Sequence, residues 1–578
     1  MNTRSMAGWK HQALLRAAAR LATAGALVAL AACATAPGPA AGPAEGSGAS
    51  PYGQFLAGRA ALNAGRNADA ARYYSAVRAL DPDAAEIADE RAFVAALLAG
   101  DVTTAARIAP TSEATSPPSL SLSRLVRAVE GMSTGRVGSV RTLLAPEGAV
   151  FPHRSAMALL APWAAAMAGD KEGVLVRPQS PGDRIVDVFG LLAQARLFER
   201  AGRFDEAETN FKVLAGGESP GQASVLAYGG FLERRKRGAE AIALYDRLLA
   251  TDPRNASVRA ARERAASGKA EAQPSLRQGA AQTLTPMGAT LIAAGQDQMG
   301  LAYLRLALRL DPGNAPAWLL VGDLLESDGL VDEARAAYAR VPADSPEFTA
   351  AQAKLAWSHQ RAGDRETALR LAQQAAAGGD VEAAINLSDL LRANEKFSES
   401  ADALDPIIRG AAPDWRLLYA RGVSRERAGR WPEAEADLMA ALALNPNEPE
   451  LLNYLGYSWI DRNENLDKAL EMVRRAVSQN PRSGAMVDSL GWAYFRLGDF
   501  PRAVETLERA VELEPGDPEL NNHLGDAYWR IGRRDEAGFQ WKRVLTLDPD
   551  PKIRAEAERK LVQGLPPVSA PVPAARKP

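Results

Sequence analysis

Small side chains recur along the chain at a nearly fixed interval. Gly491 is repeated as Gly525, and Ala503 is repeated at the same spacing as Ala537. Traced backwards, the second position stays small at this interval, at Gly300, Ala334, Ala368, Ala401, Ala434, Ala469, Ala503 and Ala537. The same register continues in weaker form upstream, at Ala70, Ala105, Val140, Val174, Ala207 and Ala241. The pattern predicts about fourteen repeats, eight well formed and six degenerate.

Each repeat is predicted to be a pair of antiparallel helices that touch closely. Gly491 in the first helix and Ala503 and Ala510 in the second are small enough to permit that contact. Gly498 is placed in the turn between them. Pro515 ends the second helix, because proline lacks a backbone donor and disfavours helix in the residue before it.

The positions of one repeat resemble the tetratricopeptide signature, which is filled by Leu490, Gly491, Trp492, Ala493, Tyr494, Gly498, Ala503, Leu507, Ala510 and Pro515. The resemblance to this family covers most of residues 51–563. It implies an all-α fold, a right-handed superhelical solenoid of about fourteen helix-turn-helix repeats of the tetratricopeptide type.

The repeats do not run evenly along the chain. Ala241 and Gly300 are too far apart for one repeat, and the excess is rich in Ala, Gly, Gln and Ser. A one-sided helix with Ile553, Ala557 and Leu561 follows the last repeat, as a terminal cap would. The predicted segments are a degenerate array over 51–265, a linker over 266–280, a well-formed array over 281–550, a capping helix over 551–563 and a disordered tail over 564–578.

The beginning of the chain resembles a bacterial lipoprotein signal. A positive stretch precedes a short apolar run and a small-residue cleavage site, formed by Arg4, Lys10, Arg16, Arg20, Leu21–Leu30 and Leu30-Ala31-Ala32-Cys33. The resemblance implies removal of residues 1–32 and lipidation of Cys33. The alternative is an ordinary secretory signal in which the cysteine occurs by chance.

The residues after the signal bear on location. Residues 33–50 are rich in Gly, Ala, Pro and Ser, a composition typical of a flexible tether. Ala34, rather than Asp, follows the lipobox cysteine, which by resemblance to envelope sorting favours the outer membrane. We therefore expect a chain anchored in the outer membrane through its lipid and facing the periplasm.

Composition and motifs argue against several functions. Lys plus Arg number 68 against 70 for Asp plus Glu, so no basic field for nucleic acid is expected. One cysteine and three dispersed histidines outside the signal, His153, His359 and His523, give no metal-site spacing, and all three histidines are interpreted as surface or core residues. No cofactor motif or catalytic constellation is present, and the chain is predicted not to be an enzyme.

What remains is a surface for partner proteins. In solenoids of this type the first helices line a concave groove, and aromatic and Arg residues are enriched at binding hot spots. Counting from the signature places these residues in the groove: Trp357, Tyr419, Arg427, Asn453, Tyr457, Asp488, Trp492, Arg496, Asn522, Asp526, Trp529 and Arg530. The alternative for Trp492 and Trp529 is packing between adjacent helices.

The sequence thus predicts a lipid-anchored periplasmic scaffold that holds a peptide or protein partner. A lipobox followed by a long repeat array is similar to envelope tetratricopeptide lipoproteins, some of which are adaptors for a periplasmic carboxyl-terminal processing protease. The resemblance implies a protease as one candidate partner. Two alternatives stay open, an assembly factor for cell-wall or secretion machinery and an enzyme with an unrecognised site.

Overall fold

A computed structural model describes residues 50–567 except 82–84, 113–114, 179–182, 218–219, 254 and 411–413. The predicted signal peptide, the lipidation site Cys33, the tether up to residue 49 and the tail beyond residue 567 lie outside the described residues. Within them the chain forms 29 α-helices and one short 3-10 helix, and no strand. The predicted all-α solenoid is confirmed.

The helices fall into two compact bodies, which we call the first body, ending at Ser358, and the second body, beginning at His359. The helices of the first body are α1 Pro51–Asn63, α2 Asn67–Leu80, α3 Ala85–Ala99, α4 Val102–Ile108, α5 Pro117–Thr134, α6 Val140–Leu143, α7 His153–Met167, α8 Arg184–Arg200, α9 Phe204–Ala215, α10 Gln222–Arg234, α11 Gly238–Leu249, α12 Ala256–Ala266, α13 Leu276–Ala293, α14 Asp297–Leu310, α15 Ala315–Ser327 and α16 Val331–Tyr338.

Helix α17, Phe348–Arg361, contains the boundary between the bodies. The remaining helices are α18 Arg365–Ala376, α19 Val381–Ala393, α20 Phe397–Gly410, α21 Trp415–Arg427, α22 Trp431–Leu444, α23 Pro449–Arg462, α24 Leu466–Gln479, α25 Gly484–Arg496, α26 Phe500–Leu513, α27 Pro518–Arg530, α28 Arg534–Leu545 and α29 Pro551–Gln563.

Local chemistry explains where a repeat begins and turns. Helix α25 begins after Ser483, whose hydroxyl accepts a hydrogen bond from the Met486 N–H, and Gly498 follows the helix with φ of 80°. A Cβ added at Gly491 would lie 2.6 Å from Leu507 Cγ on α26, so only glycine allows the two helices to pack this closely. The positions that define the repeat in sequence therefore act through helix contact.

Two of the degenerate repeats have a very short second helix. Helix α6 is a single turn, and in the next repeat the 3-10 helix Gly173–Leu175 takes the place of a second helix. Every small residue of the predicted series nevertheless lies in the second helix or 3-10 turn of its hairpin, from Ala70 in α2 to Ala537 in α28. The described residues therefore form the fourteen hairpins that the register predicts.

The first body folds back on itself. The hairpin of α13 and α14 packs not only against its neighbours but also against α3, α5, α7 and α8, which lie much earlier in the chain. Tyr303 Oη lies 3.0 Å from His153 Nδ1, and Arg309 Nε donates to Glu130 Oε2 at 2.8 Å. Helices of the degenerate repeats are thereby covered by a later hairpin of the same chain.

The helix bounds can be compared with the predicted linker and cap. Helix α12 ends at Ala266, and α13 begins at Leu276 within the predicted linker 266–280. The division between the compact bodies lies later, after Ser358. Helix α29 occupies the residues for which the sequence predicts a one-sided capping helix, and its Ala557 is fully buried.

Candidate protein-binding surface

The inner side of the second body can be identified from which helices touch. Besides the hairpin contacts, α19 packs against α21, α23 against α25, α25 against α27, and α27 against α29. Among the described residues the second helices of these repeats make no comparable contacts with one another. The first helices are therefore closer together and lie on the inner, more curved side. We call their exposed and half-buried side chains the inner surface.

Among the described residues of the second body, no helix covers this inner surface. In its described residues, the substantial contacts between helices all join neighbours that are next or next but one along the chain. The first body differs, because there α13 and α14 pack against much earlier helices. Apart from these neighbour contacts, no helix described in the second body packs over its inner surface.

Trp492 lies at the centre of an aromatic stack on this surface. Its ring is parallel to those of His523, with centroids 4.0 Å apart, and Phe495, with centroids 4.5 Å apart. Trp492 is half-buried, and its Nε1 is fully buried without a hydrogen-bond partner among the described residues. Trp492 therefore packs between helices and also contributes to the surface.

Asp488 and His523 form a buried pair between α25 and α27. His523 Nδ1 lies 2.9 Å from Asp488 Oδ2, and both residues are less than a tenth exposed. Burial alone would lower the pKa of His523, but the nearby Asp488 carboxylate outweighs it and raises that pKa to about 9. His523 is therefore a charged structural residue at neutral pH, and Asp488 is not presented to a partner.

A second buried charge pair joins α27 to the cap. Lys560 Nζ of α29 donates to Asp526 Oδ2 at 2.7 Å and to Asn522 Oδ1 at 3.0 Å, and Trp541 Nε1 donates to Asp526 Oδ1. Burial raises the pKa of Asp526, and Lys560 opposes that shift. Asn522 and Asp526 are each 4% exposed, so they fix the cap rather than face a partner.

The tyrosines of the inner surface are also engaged within the chain. Tyr457 Oη donates to Glu519 Oε1 at 2.8 Å, a bond that spans from α23 to α27. Burial, together with the Glu519 carboxylate, raises the pKa of Tyr457, so its phenol stays protonated. Tyr419 packs edge-on against Tyr454 with ring centroids 5.7 Å apart. Both predicted residues remain half-buried and line the surface.

The arginines lie at the ends of the inner helices. Arg427 is exposed, with its guanidinium 5.0 Å from the centroid of the Phe397 ring. Arg496 Nη1 donates to the Asp461 carbonyl oxygen at 3.0 Å. Arg530 Nη1 donates to a carbonyl beyond α29, that of Pro566, at 2.7 Å. Of these three arginines, Arg427 is thus the one that is exposed to solvent.

The other predicted residues have different surroundings. Trp529 contacts Trp541 of α28, with ring centroids 5.5 Å apart. Asn453 is half-buried, and its Oδ1 has no hydrogen-bond partner among the described residues. Trp357 lies on the part of α17 that belongs to the first body. The predicted surface is therefore concentrated on α21 to α27.

Sequence reasoning missed three residues that shape this surface. The sequence identifies His523 only as a surface or core histidine and Lys560 only as a charged residue of the capping helix, and it does not single out Phe495. Trp492, Asp526 and Lys560 follow one another at the repeat interval. Extending this interval into the capping helix would have predicted that Lys560 lies on the inner side of that helix.

The described residues contain no group of three or more His, Cys, Asp or Glu side chains that could hold a metal ion. None of the helices described here is both long enough and apolar enough to cross a bilayer.

Comparisons with known proteins identify the repeat. Tetratricopeptide repeat models match residues 192–256, 291–357, 419–484 and 489–551. A TPR repeat-containing protein of Pseudomonas aeruginosa is 30% identical over 111 residues, which are 19% of this chain and 19% of that protein. The chain carries tetratricopeptide repeats, and such repeats indicate a protein-interaction scaffold.

Two solved structures match large parts of the chain at low sequence identity. The match to a chain of the APC/C hetero-tetramer Cut9–Hcn1 covers 88% of this chain and 96% of the matched chain, with 14% identity and a TM-score of 0.38. A tetratricopeptide repeat protein from Parabacteroides merdae matches 49% of this chain and 98% of that chain, with 16% identity and a TM-score of 0.33. At these TM-scores neither structure informs the function of this chain.

Proposed function

We propose that the protein is a lipid-anchored adaptor that holds a partner protein on the inner surface of the second body. The observation that carries the proposal is that this surface is open in the described structure, whereas helices of the first body are covered by α13 and α14. Aromatic and Arg side chains line it, and these are the residue types that dominate binding energy at protein interfaces.

The part of the surface available to a partner runs from α21 to α25. Tyr419, Tyr457 and Trp492 are half-buried there, and Arg427 is exposed. Asp488, by contrast, is paired and buried. A partner segment lying across these helices would contact aromatic side chains in the middle and a cation at the edge.

The proposed location is the periplasmic side of the outer membrane. It rests on the lipobox-like residues Leu30 to Cys33, on Ala34 after the cysteine, and on the tether-like composition of residues 33–50. A lipid on Cys33 would hold the repeats close to the membrane surface.

The proposed partner class is an envelope protease or its substrate. This part of the proposal rests on the similarity of a lipobox followed by a long repeat array to envelope lipoproteins that act as protease adaptors. An adaptor needs an open surface of its own, which the second body provides.

Photo-crosslinking tests the surface directly. A photoreactive amino acid placed at Tyr457 or Trp492 should cross-link the same protein in intact cells, because both residues line α23 and α25. Matched control sites are Glu471 and Glu505, exposed residues at equivalent positions of the second helices α24 and α26. Equal cross-linking from the inner and control sites would show that the inner surface is not the binding surface.

The anchor is tested by Cys33→Ser. This variant removes the only thiol in the chain, so it should take up no fatty-acid analogue and should keep its full precursor length. Equal labelling of the variant and the unmodified chain would rule out lipidation at Cys33.

A further inference from the structure

The residues that directly follow α29 lie on one end of the inner surface. We propose that Gly564–Pro567, which we call the tail segment, is an internal ligand that covers the Trp529–Arg530 end, so that a partner must displace it to bind there. The inference rests on the proposed function of the inner surface, and it adds a competitor built into the same chain.

The first contact is between Gly564 and the Trp529 ring. A Cβ added at Gly564 would lie 2.0 Å from Trp529 Cζ2 and 2.4 Å from Cη2, so the backbone of the tail segment lies directly against the indole. The φ of Gly564 is 66°, in the left-handed region that favours glycine. Glycine is therefore required here both by conformation and by space.

The second contact is a hydrogen bond to the backbone of the tail segment. Arg530 Nη1 donates to the Pro566 carbonyl at 2.7 Å. Arg496 occupies the equivalent position one repeat earlier and donates instead to the Asp461 carbonyl on the preceding inner helix. Arg530 thus reaches forward to the tail segment, where its counterpart reaches back along the solenoid.

The third contact is apolar. Leu565 packs on the buried cluster that contains Trp541 and Ala557, together with Trp529 and Leu561. The tail segment thus makes three contacts that are typical of a bound extended peptide. An apolar side chain enters a cluster, a carbonyl accepts from Arg530, and the backbone lies on an indole. Pro566 and Pro567 also favour an extended backbone and carry no N–H that would need a partner.

These contacts define what could replace the tail segment. The occupant is an extended chain segment with an apolar side chain for the Trp529 cluster and a carbonyl oxygen for Arg530. Because the tail segment is joined to α29 without a long linker, its effective concentration at the site is on the order of millimolar. A weakly binding peptide therefore cannot compete with the tail segment for this site. A partner that also contacts α21 to α25 binds more tightly and can displace the segment.

The test uses the full chain carrying Gly564→Val. The new side chain would collide with Trp529 and would expel the tail segment without changing any residue of the inner surface. Gly532→Ala is the matched control, because Gly532 has φ of 85° but a Cβ there would meet nothing within 4 Å. It introduces the same kind of backbone strain at a position without a contact. Leu565→Asp is a second way to release the segment.

The probe is a fluorescent synthetic peptide of residues 564–578, and the readout is its anisotropy. Gly564→Val and Leu565→Asp should bind it at least about tenfold more tightly than the unmodified chain and Gly532→Ala, because the competing segment is gone. Adding Arg530→Ala to Gly564→Val should abolish that gain. Equal binding by all chains, or no binding by either released variant, would overturn the inference.

This outcome is separable from that of the proposed function. Cross-linking from Tyr457 and Trp492 reports on partner binding over α23 and α25 and does not depend on the probe peptide. If cross-linking succeeds and the peptide fails to bind, the surface is functional and the tail segment is only a structural contact, which refutes the inference alone.

Discussion

Raising the pH above neutrality is expected to loosen the second body at the pair of His523 and Asp488. His523 has a pKa of about 9 in the folded chain, against an ordinary value of 6.5. The folded state therefore holds a proton that the unfolded state releases. The resulting stability is fully present below about pH 6.5 and is lost as the pH rises through about 9.

The size of the effect follows from the two pKa values. Each pH unit between them is worth about 1.4 kcal/mol, so the stability lost across this interval is about 3 kcal/mol. That is a large share of the roughly 5 to 15 kcal/mol by which domains are typically stable. The loss should be concentrated at the contact between α25 and α27, where the two side chains meet.

The assay is urea unfolding of the full chain from about pH 6 to about pH 9.5, followed by hydrogen exchange resolved to individual helices. His523→Gln keeps a donor near Asp488 but cannot titrate, so it should be less stable at pH 6 and should lack this alkaline loss. His359→Gln is the control, since His359 lies in the same body and contacts Asp364 on the surface. Parallel alkaline losses in the unmodified chain and His523→Gln would refute the reasoning.

Three further outcomes are expected. Burial lowers the pKa of His153 to about 4, so the first body should lose stability as the pH falls from about 6.5 through 4, the opposite sign to His523; acid unfolding monitored in α7 by hydrogen exchange checks this. Tyr303→Phe removes the hydroxyl bonded to His153 and should cost about 1 to 3 kcal/mol in urea unfolding. Lys560→Met leaves the Asp526 carboxylate buried without its cation and should cost about 3 to 5 kcal/mol, most of it regained on adding Asp526→Asn; a double variant as unstable as Lys560→Met would contradict that account.

The repeat architecture could be predicted because it depends on local contacts. Gly491 and Ala503 are small because two helices of one hairpin touch there, and a small residue recurs at the Ala503 position in most of the repeats. Gly498 is needed for a turn within the same hairpin. Sequence periodicity records such requirements directly, even where the second helix is only a 3-10 turn.

The fold-back of the first body could not be predicted in the same way. Tyr303 and His153 are far apart in the chain, and in sequence each is an ordinary member of its own repeat. Repeat reasoning assumes that a hairpin contacts only its neighbours. The contact of α13 and α14 with α3, α5, α7 and α8 breaks that assumption, and no periodic signal marks it.

For the candidate surface, the sequence indicates on which helix a residue lies but not whether that residue is exposed to a partner. Asp488, Asn522 and Asp526 lie on inner helices, but each is buried against a side chain from the following inner helix. The side chains that bury them, His523 and Lys560, lie one repeat later in the sequence. Whether an inner residue faces a partner or its own chain therefore depends on the next repeat, which a single signature does not reveal.

Because the next repeat decides which inner residues are exposed, it also decides which part of the second body can bind a partner. At α25, α27 and α29 the polar inner residues are paired from one helix to the next, ending with Lys560 of the cap. At the end of α27, Trp529 and Arg530 in turn contact the tail segment. The open aromatic surface then begins at Trp492 and runs back to Tyr419, so a partner is expected to bind over these helices first and to reach α27 only by displacing the tail segment.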